Sequence, residues 1–291
     1  MLSLHTNNAA LSAQNAIGRT QSSLSTSMTR LSTGYRINSA MDDAAGLQIA
    51  TRLKAQTSGM AVAMRNTQNS TSMLQTAEGA LDEVSNMLIR MKDLATQAAD
   101  ASSTTADKNA MQSEYDALGK ELNNVLKNTT FAGANLLAGT NGTLITSALT
   151  FQIGASSSET MSVDLSAAMS AVGTAVGSAT AKYAAPGVTT LGTEITTGAN
   201  ATNAISSLST ALDKVGTLRS DLGAAANRLE HVYNNLSNIS TNSQAAMGRI
   251  MDVDFASESA NMTSNQMLLQ ASTAMLKQSN SMSSMVMSLL Q

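Results

Sequence analysis

The chain opens and closes on apolar residues that recur every seven positions. Leu4 and Leu11 stand seven apart, and after a slip of one residue Ile17, Leu24 and Leu31 resume the same step. At the far end Leu268, Met275, Met282 and Leu289 follow one another at seven, widened by Leu269, Leu276 and Leu290. Seven is the coiled-coil period, so the pattern predicts a helical arm at each end and asks for partner helices. Between the arms the apolar step alternates three and four. Leu74, Ala77, Leu81, Val84, Leu88, Met91, Ala95 and Ala98 form one seam. Met111, Tyr115, Leu118, Leu122 and Val125 form a second, and Leu218, Leu222, Ala225, Leu229, Val232, Leu236 and Ile239 a third. Three such seams can bury one another as a bundle.

Punctuation agrees with these elements. Gly34 reads as a helix C-terminal cap, Ser39 followed by Asp42 as a capping box with Asp in place of Glu, and Ser102–Thr105 as a turn between the first two seams. The period then changes to two. Leu149, Phe151 and Ile153 alternate with polar neighbours, as do Met161, Val163 and Leu165, with Gly154–Glu159 between them. This predicts a β-hairpin with one face against the bundle.

Composition adds a symmetry. Residues 132–204 hold half of the 18 glycines and few charges, so a Gly/Ser/Thr-rich middle separates two helical ends. Hydrophobic residues make up 43% of the chain but aromatics only 2%, so packing rests on Ala, Leu, Met, Val and Ile, the stock of long helix seams. The arms are nearly uncharged: residues 1–29 carry only Arg19 and residues 263–291 only Lys277. An exposed helix usually carries charge on its outer face, so these arms read as built for helix contacts on several sides. Burying the nine seven-spaced residues does not offset the entropy of ordering about seventy arm residues. Both arms are therefore expected to be mobile in the isolated subunit and to order when neighbouring copies supply further surface.

Several chemistries are excluded or unsupported. A net charge of -3 with no basic, aromatic-interleaved patch gives nothing to hold nucleic acid. Without Cys there are no disulfides and no thiolate metal sites. His5 and His231 are the only histidines and no His-Glu-x-x-His occurs, so no cofactor, no metal and no enzyme activity is expected. Gly34, Gly46 and Gly59 make no phosphate loop. Met275, Met282 and Met285 could suggest a soft-metal site, but helix packing accounts for them; Asp42 and Asp43 read as a helix-start cap rather than an acid/base pair. No cleaved signal is visible at the first residues and no apolar run is long enough to span a membrane, so any export runs by a route that reads neither.

The residues also resemble a known family. The stretch from Leu31 to Leu53, Leu-Ser-Thr-Gly-Tyr-Arg-Ile-Asn-Ser-Ala-Met-Asp-Asp-Ala-Ala-Gly-Leu-Gln-Ile-Ala-Thr-Arg-Leu, is similar to the most recognisable segment of bacterial flagellins. Leu218–Arg228, Ile250–Glu258, Ser288–Gln291 and the turn Phe131–Leu137 follow the same family's pattern in the same order. The resemblance covers residues 1 to about 165 and 205 to 291. It implies a mainly α fold, a long coiled-coil-like bundle built from both chain ends with a small β-hairpin and a short variable middle. In its terms residues 1–40 and 248–291 are inner-tube arms, 41–165 and 205–247 the outer-tube core, and 166–204 a short variable surface region.

The function so implied is a structural subunit that self-assembles, through Leu4, Leu11, Ile17, Leu24, Leu31, Leu268, Met275, Met282 and Leu289, into the extracellular filament of a flagellum. The short, Met-rich form is most similar to lateral, swarming-type flagellins. Family partners are other copies of the chain, an export chaperone, the filament cap and hook-junction proteins, with export of unfolded subunits through the flagellar type III apparatus. Some flagellins are sensed by a host Toll-like receptor; the matching positions are Arg90, Leu94 and Glu114, with Ile89 where Gln is common. Inflammasome sensors read the C-terminal apolar helix, here ending in Leu289–Leu290, and some family members carry sugars on middle-region Ser and Thr. Two other classes compete. A chemoreceptor's cytoplasmic hairpin is also Ala/Ser/Gln-rich, but it calls for an uninterrupted hairpin where this chain predicts β structure and a Gly-rich loop. A hook–filament junction protein shares the terminal pattern and differs in its larger middle and low copy number.

Overall fold

The computed structural model describes residues 7–137, 142–146, 148–184, 186–187 and 189–289. Helices dominate: α1 (Asn8–Thr33), α2 (Ala44–Ala99), α3 (Thr105–Asn128), α4 (Thr143–Thr146), α5 (Ser166–Ala179), α6 (Ala181–Ala184), α7 (Gly198–Met251) and α8 (Phe255–Leu289). Two small antiparallel pairs interrupt them, β1 (Thr130–Phe131) with β2 (Ala134–Asn135), and β3 (Leu149–Gln152) with β4 (Thr160–Val163). The chain divides into two compact units, Met1–Thr57 with Thr241–Gln291, and Ser58–Ser240.

The unit Ser58–Ser240 holds the core. Every member of the α2 seam from Leu74 to Ala98 is buried, as are Met111, Tyr115 and Leu122 of α3 and Leu218, Leu222, Ala225 and Leu229 of α7. These side chains form one contiguous cluster, the three-seam bundle that their three-and-four spacing predicts. The α7 seam ends earlier than its apolar letters do. Ile239 is exposed, and Ser240 is the buried residue beside it, because the buried row steps four residues on from Leu236 instead of three. The hairpin also forms as its alternation predicts. Leu149 faces Val163 and Phe151 faces Met161 across the pair, with Met161 and Val163 buried and Thr160 and Ser162 exposed. The shorter pair β1–β2 turns through Ala132 (φ 50°) and Gly133 (φ 84°), two left-handed residues that match the twist of a two-residue hairpin.

Residues 166–204, expected as a variable surface region with a Gly-rich loop, open on a helix. Ser166–Ala179 is helical, and Met169, Val172, Val176 and Ala179 bury a face in the core. Its Ala, Gly and Ser content hides a short apolar row at steps of three and four. Beyond it a buried polar cluster ties the segment to α3. The Gln112 amide donates to Asp116 (2.7 Å) and Glu194 (2.8 Å) and accepts from the Ile195 backbone N–H (2.7 Å). The Gly192 N–H donates to Asp116 (2.8 Å), and the Lys182 ammonium lies 3.6 Å from the same carboxylate. The Tyr115 hydroxyl donates to the Ala179 carbonyl (2.7 Å), and burial pushes its ionisation far above the usual phenol range. Gly119 lets this segment approach, since a Cβ there would stand 2.6 Å from the Thr180 hydroxyl and 3.1 Å from the Lys182 Cβ.

Candidate assembly interface on the paired arms

In the unit formed by residues 1–57 and 241–291, α1 and α8 pair antiparallel. Asn7 and Ser279 exchange hydrogen bonds at one end (3.2 Å each), while Arg30 and Glu258 approach to 3.7 Å at the other. The two links lie about 34 Å apart along α1 at helical rise. Asn7 also caps α1, accepting from the Ala10 N–H (3.0 Å). At the other end Gly34 adopts φ 76° and returns its N–H to the Arg30 carbonyl (2.9 Å), the left-handed stop expected for this glycine.

The chain breaks after α1 and after α7 are stitched to each other. The Arg36 N–H donates to the Met251 carbonyl (2.6 Å), Val253 N–H to the Gly34 carbonyl (3.0 Å), and the Arg36 guanidinium to the Ile250 carbonyl (2.9 Å). Tyr35 and Asp252 thus pair as one antiparallel bridge, from which both arms start. The capping box expected of Ser39 and Asp42 closes the loop instead of opening α2. Asp42 accepts from the Asn38 and Ser39 N–H groups (3.0 and 2.9 Å), bonds that hold its carboxyl below the usual carboxylate range. The helix begins two residues later, and Asp43 caps it by accepting from the Gly46 N–H (2.8 Å).

The arms differ from the bundle in what they bury. Among the described residues of α1 and α8, only Ser27 and Glu258 are buried, and both are polar. No apolar side chain of either helix reaches the interior that the α2 seam reaches throughout. Ile17, Leu24 and Leu31 are half-buried, in a row with Ala10, Ala13, Thr20 and Ser27, while Leu11 is exposed. On α8 the half-buried row is Met262, Asn265, Leu269, Ser272, Leu276 and Ser279, which contains the Glu258 and Ser279 side of the helix. Leu268, Met275 and Met282, the seven-spaced row, are exposed. They lie about 90° round α8 from the half-buried row. Leu4 and the side chain of Leu289 fall outside the described residues. Sequence periodicity missed the Arg30–Glu258 and Asn7–Ser279 links, whose only signal is charge or amide placement on an otherwise bare helix.

The threonine hydroxyls of α1 are satisfied within the helix. Thr20, Thr26, Thr29 and Thr33 each donate to the carbonyl four residues back (2.9–3.1 Å), and Thr263 does the same in α8 (2.9 Å).

The other candidate surface lies on α2 and α3. Arg90 grips Glu114 with two hydrogen bonds (2.9 and 2.7 Å), and both side chains are about half exposed. Ile89 beside them is exposed, whereas Leu94 is 3% exposed and belongs to the core. Among the described residues no group of three or more His, Cys, Asp or Glu gathers as a metal site, and no helix is long and apolar enough to cross a membrane.

Both ends of the chain match a family model: the bacterial flagellin N-terminal helical region over residues 4–142 and the bacterial flagellin C-terminal helical region over residues 205–290. Polar flagellin C of Vibrio parahaemolyticus is 34% identical over 387 aligned positions that span 100% of each chain. That span exceeds 291 residues, so the relative carries segments with no counterpart here. A flagellin of Halalkalibacterium halodurans is 39% identical over 264 positions, 91% of this chain and 90% of its own. A solved structure of a putative flagellar hook-associated protein from Vibrio parahaemolyticus aligns with TM-score 0.55 over 72% of this chain and 100% of its own, at 16% identity, a likeness of fold alone. The matched regions include the whole of α1 and α8, the two helices that lack apolar burial of their own, and the chain belongs to the flagellin family, the structural subunits of the bacterial flagellar filament.

Proposed function

We propose that α1 and α8 are the polymer-forming element of this subunit: weakly held in the isolated chain, they complete their packing against the same helices of neighbouring copies. The observation that carries this is the absence of any buried apolar side chain among the described residues of the pair. Two helices of this length with apolar rows on more than one side and almost no charge have a stable place only where further helices cover them. In this reading residues 1–40 and 248–291 line the inner tube. The bundle of 41–165 and 205–247 forms the outer tube, with 166–204 at the surface.

Removing residues 1–33 and 255–291 tests the reading. Salt-seeded polymerisation of the full chain should give long tubes by electron microscopy, and the truncated chain should give none while its bundle keeps helical circular dichroism. Tubes from the truncated chain would refute it.

Export of the unfolded subunit through the flagellar type III apparatus accords with a chain that holds no Cys. The same reading places an export chaperone on the mobile arms, and the cap and hook-junction proteins at the filament's two ends. A Toll-like receptor would meet Arg90, Glu114 and the exposed Ile89 on the monomer, with Leu94 supporting them from the core. Replacing Arg90 with Ala should lower receptor signalling by monomer about tenfold or more, the loss of a charge-assisted contact; unchanged signalling removes the receptor from the partners.

A further inference from the structure

The exposed row of α8 is chemically unusual for an outer face: it is thioether. Met267, Met275 and Met282 are 59%, 67% and 56% exposed, with Leu268 among them. Met60, Met91 and Met169, in contrast, are buried in the bundle. Methionine sulfur is a two-electron nucleophile toward peroxides, and its susceptibility follows access. These three stand among the accessible, oxidisable sulfurs of the chain, with Met285 (61% exposed) further along α8, Met28 on α1 and Met41 in the loop before α2, and they lie on the helix that assembly would cover.

We propose that Met267, Met275 and Met282 form a reversible oxidation site that decides whether the subunit can polymerise. This rests on the reading of α8 as a polymer-forming helix. In the reaction the sulfur lone pair attacks one oxygen of hydrogen peroxide and the O–O bond breaks. The departing hydroxide takes the proton and leaves as water; sulfur is oxidised by two electrons and peroxide is reduced. The product is a sulfoxide, with a strongly polar S–O bond where the interface needs an apolar side chain. That oxygen needs a donor once covered. Of the hydroxyls that a neighbouring arm would bring, those of Thr20, Thr26 and Thr29 are already committed to their own helix carbonyls. Oxidation therefore removes apolar contact and adds a strongly polar acceptor whose desolvation opposes assembly. In the polymer the same sulfurs are covered and shielded, so the site reads oxidant during the life of the free subunit.

The test uses the full chain and hydrogen peroxide. In the monomer, peptide mass spectrometry should find sulfoxide at Met267, Met275 and Met282 well ahead of Met60, Met91 and Met169. In assembled filaments the three should oxidise about tenfold more slowly or less, in proportion to their covering. Oxidised monomer should need about a tenfold or higher concentration to polymerise, the loss of part of one buried side chain's contribution at each position. Treatment with methionine sulfoxide reductases of both epimer specificities should restore polymerisation, a recovery that requires no variant. A chain carrying Met267→Leu, Met275→Leu and Met282→Leu keeps apolar volume and should polymerise before and after peroxide alike. Equal oxidation rates in monomer and filament, or undiminished assembly of oxidised monomer, would overturn the proposal. Loss of assembly by the peroxide-treated triple variant would also overturn it, by moving the sensitivity to other methionines. If untreated chain forms no filaments at all, the assembly reading itself fails, an outcome distinct from these.

Discussion

Several single residues hold positions that a different side chain would strain or release. Gly34 stops α1 at φ 76°, and a Cβ there meets nothing closer than the Phe255 ring at 3.9 Å. The cost of Gly34→Ala is therefore backbone strain alone, about 1–2 kcal/mol, and the melting temperature of assembled filaments should fall accordingly. Ala132 is the opposite case, a residue with a Cβ held at φ 50° beside Gly133. Ala132→Asn creates the Asn-Gly pair that such hairpin turns prefer and should stabilise the bundle by about 0.5–1 kcal/mol in urea unfolding. At the start of α3, Thr104 and Asp107 cap each other. The Asp107 carboxyl accepts from the Thr104 hydroxyl (2.6 Å) and N–H (3.0 Å), and the first of these bonds chiefly holds it below the usual carboxylate range. A carboxyl depressed in the folded state adds stability that is complete above the unfolded value and lost as pH falls through the folded one. Asp107→Asn should therefore lower stability at neutral pH without changing its slope there, and reduce the further loss as pH falls below the ordinary carboxylate range, read by urea unfolding across pH.

At the scale of elements, steps of three and four made the bundle legible, because each buried seam in α2, α3 and α7 has charge on its other faces. The arms resisted the same reading for a physical reason. With only Arg19 and Lys277 over residues 1–29 and 263–291, nothing marks which face is wet, and apolar rows occur on more than one side. A spacing of seven selects Leu268, Met275 and Met282, while the contact with α1 uses Met262, Leu269 and Leu276 with small polar residues between. Helix α5 was hidden differently: Gly173 and Gly177, with Ser170, Thr174 and Ser178 between the apolar residues, lower helix propensity, and burial of Val172 and Val176 overrides it. The polar cluster on α3 was invisible because its side chains are as much as 82 residues apart, joining Gln112 to Glu194. That cluster makes its own prediction. Lys182 and Asp116 are both nearly inaccessible, so Lys182→Met leaves a buried carboxylate without its ammonium and should cost about 3–5 kcal/mol in bundle stability. Replacing both with apolar residues should cost less than either alone, since a buried pair contributes little over a well-packed hydrophobic one.

For the whole molecule the two units contrast in what they bury. The unit Ser58–Ser240 buries a contiguous apolar core within the chain, and the described residues of α1 and α8 bury no apolar side chain. A subunit divided in this way can persist alone with its bundle folded and yet be driven to assemble, because polymerisation supplies burial that folding withholds. Amide hydrogen exchange, read residue by residue in dilute monomer and again in assembled filaments, measures that division directly. The bundle amides of α2, α3 and α7 between Ser58 and Ser240 should be strongly protected in both states, and those of α1 and α8 weakly protected in monomer and strongly protected in filaments. Strong and equal protection of α1 and α8 in both states would contradict the account.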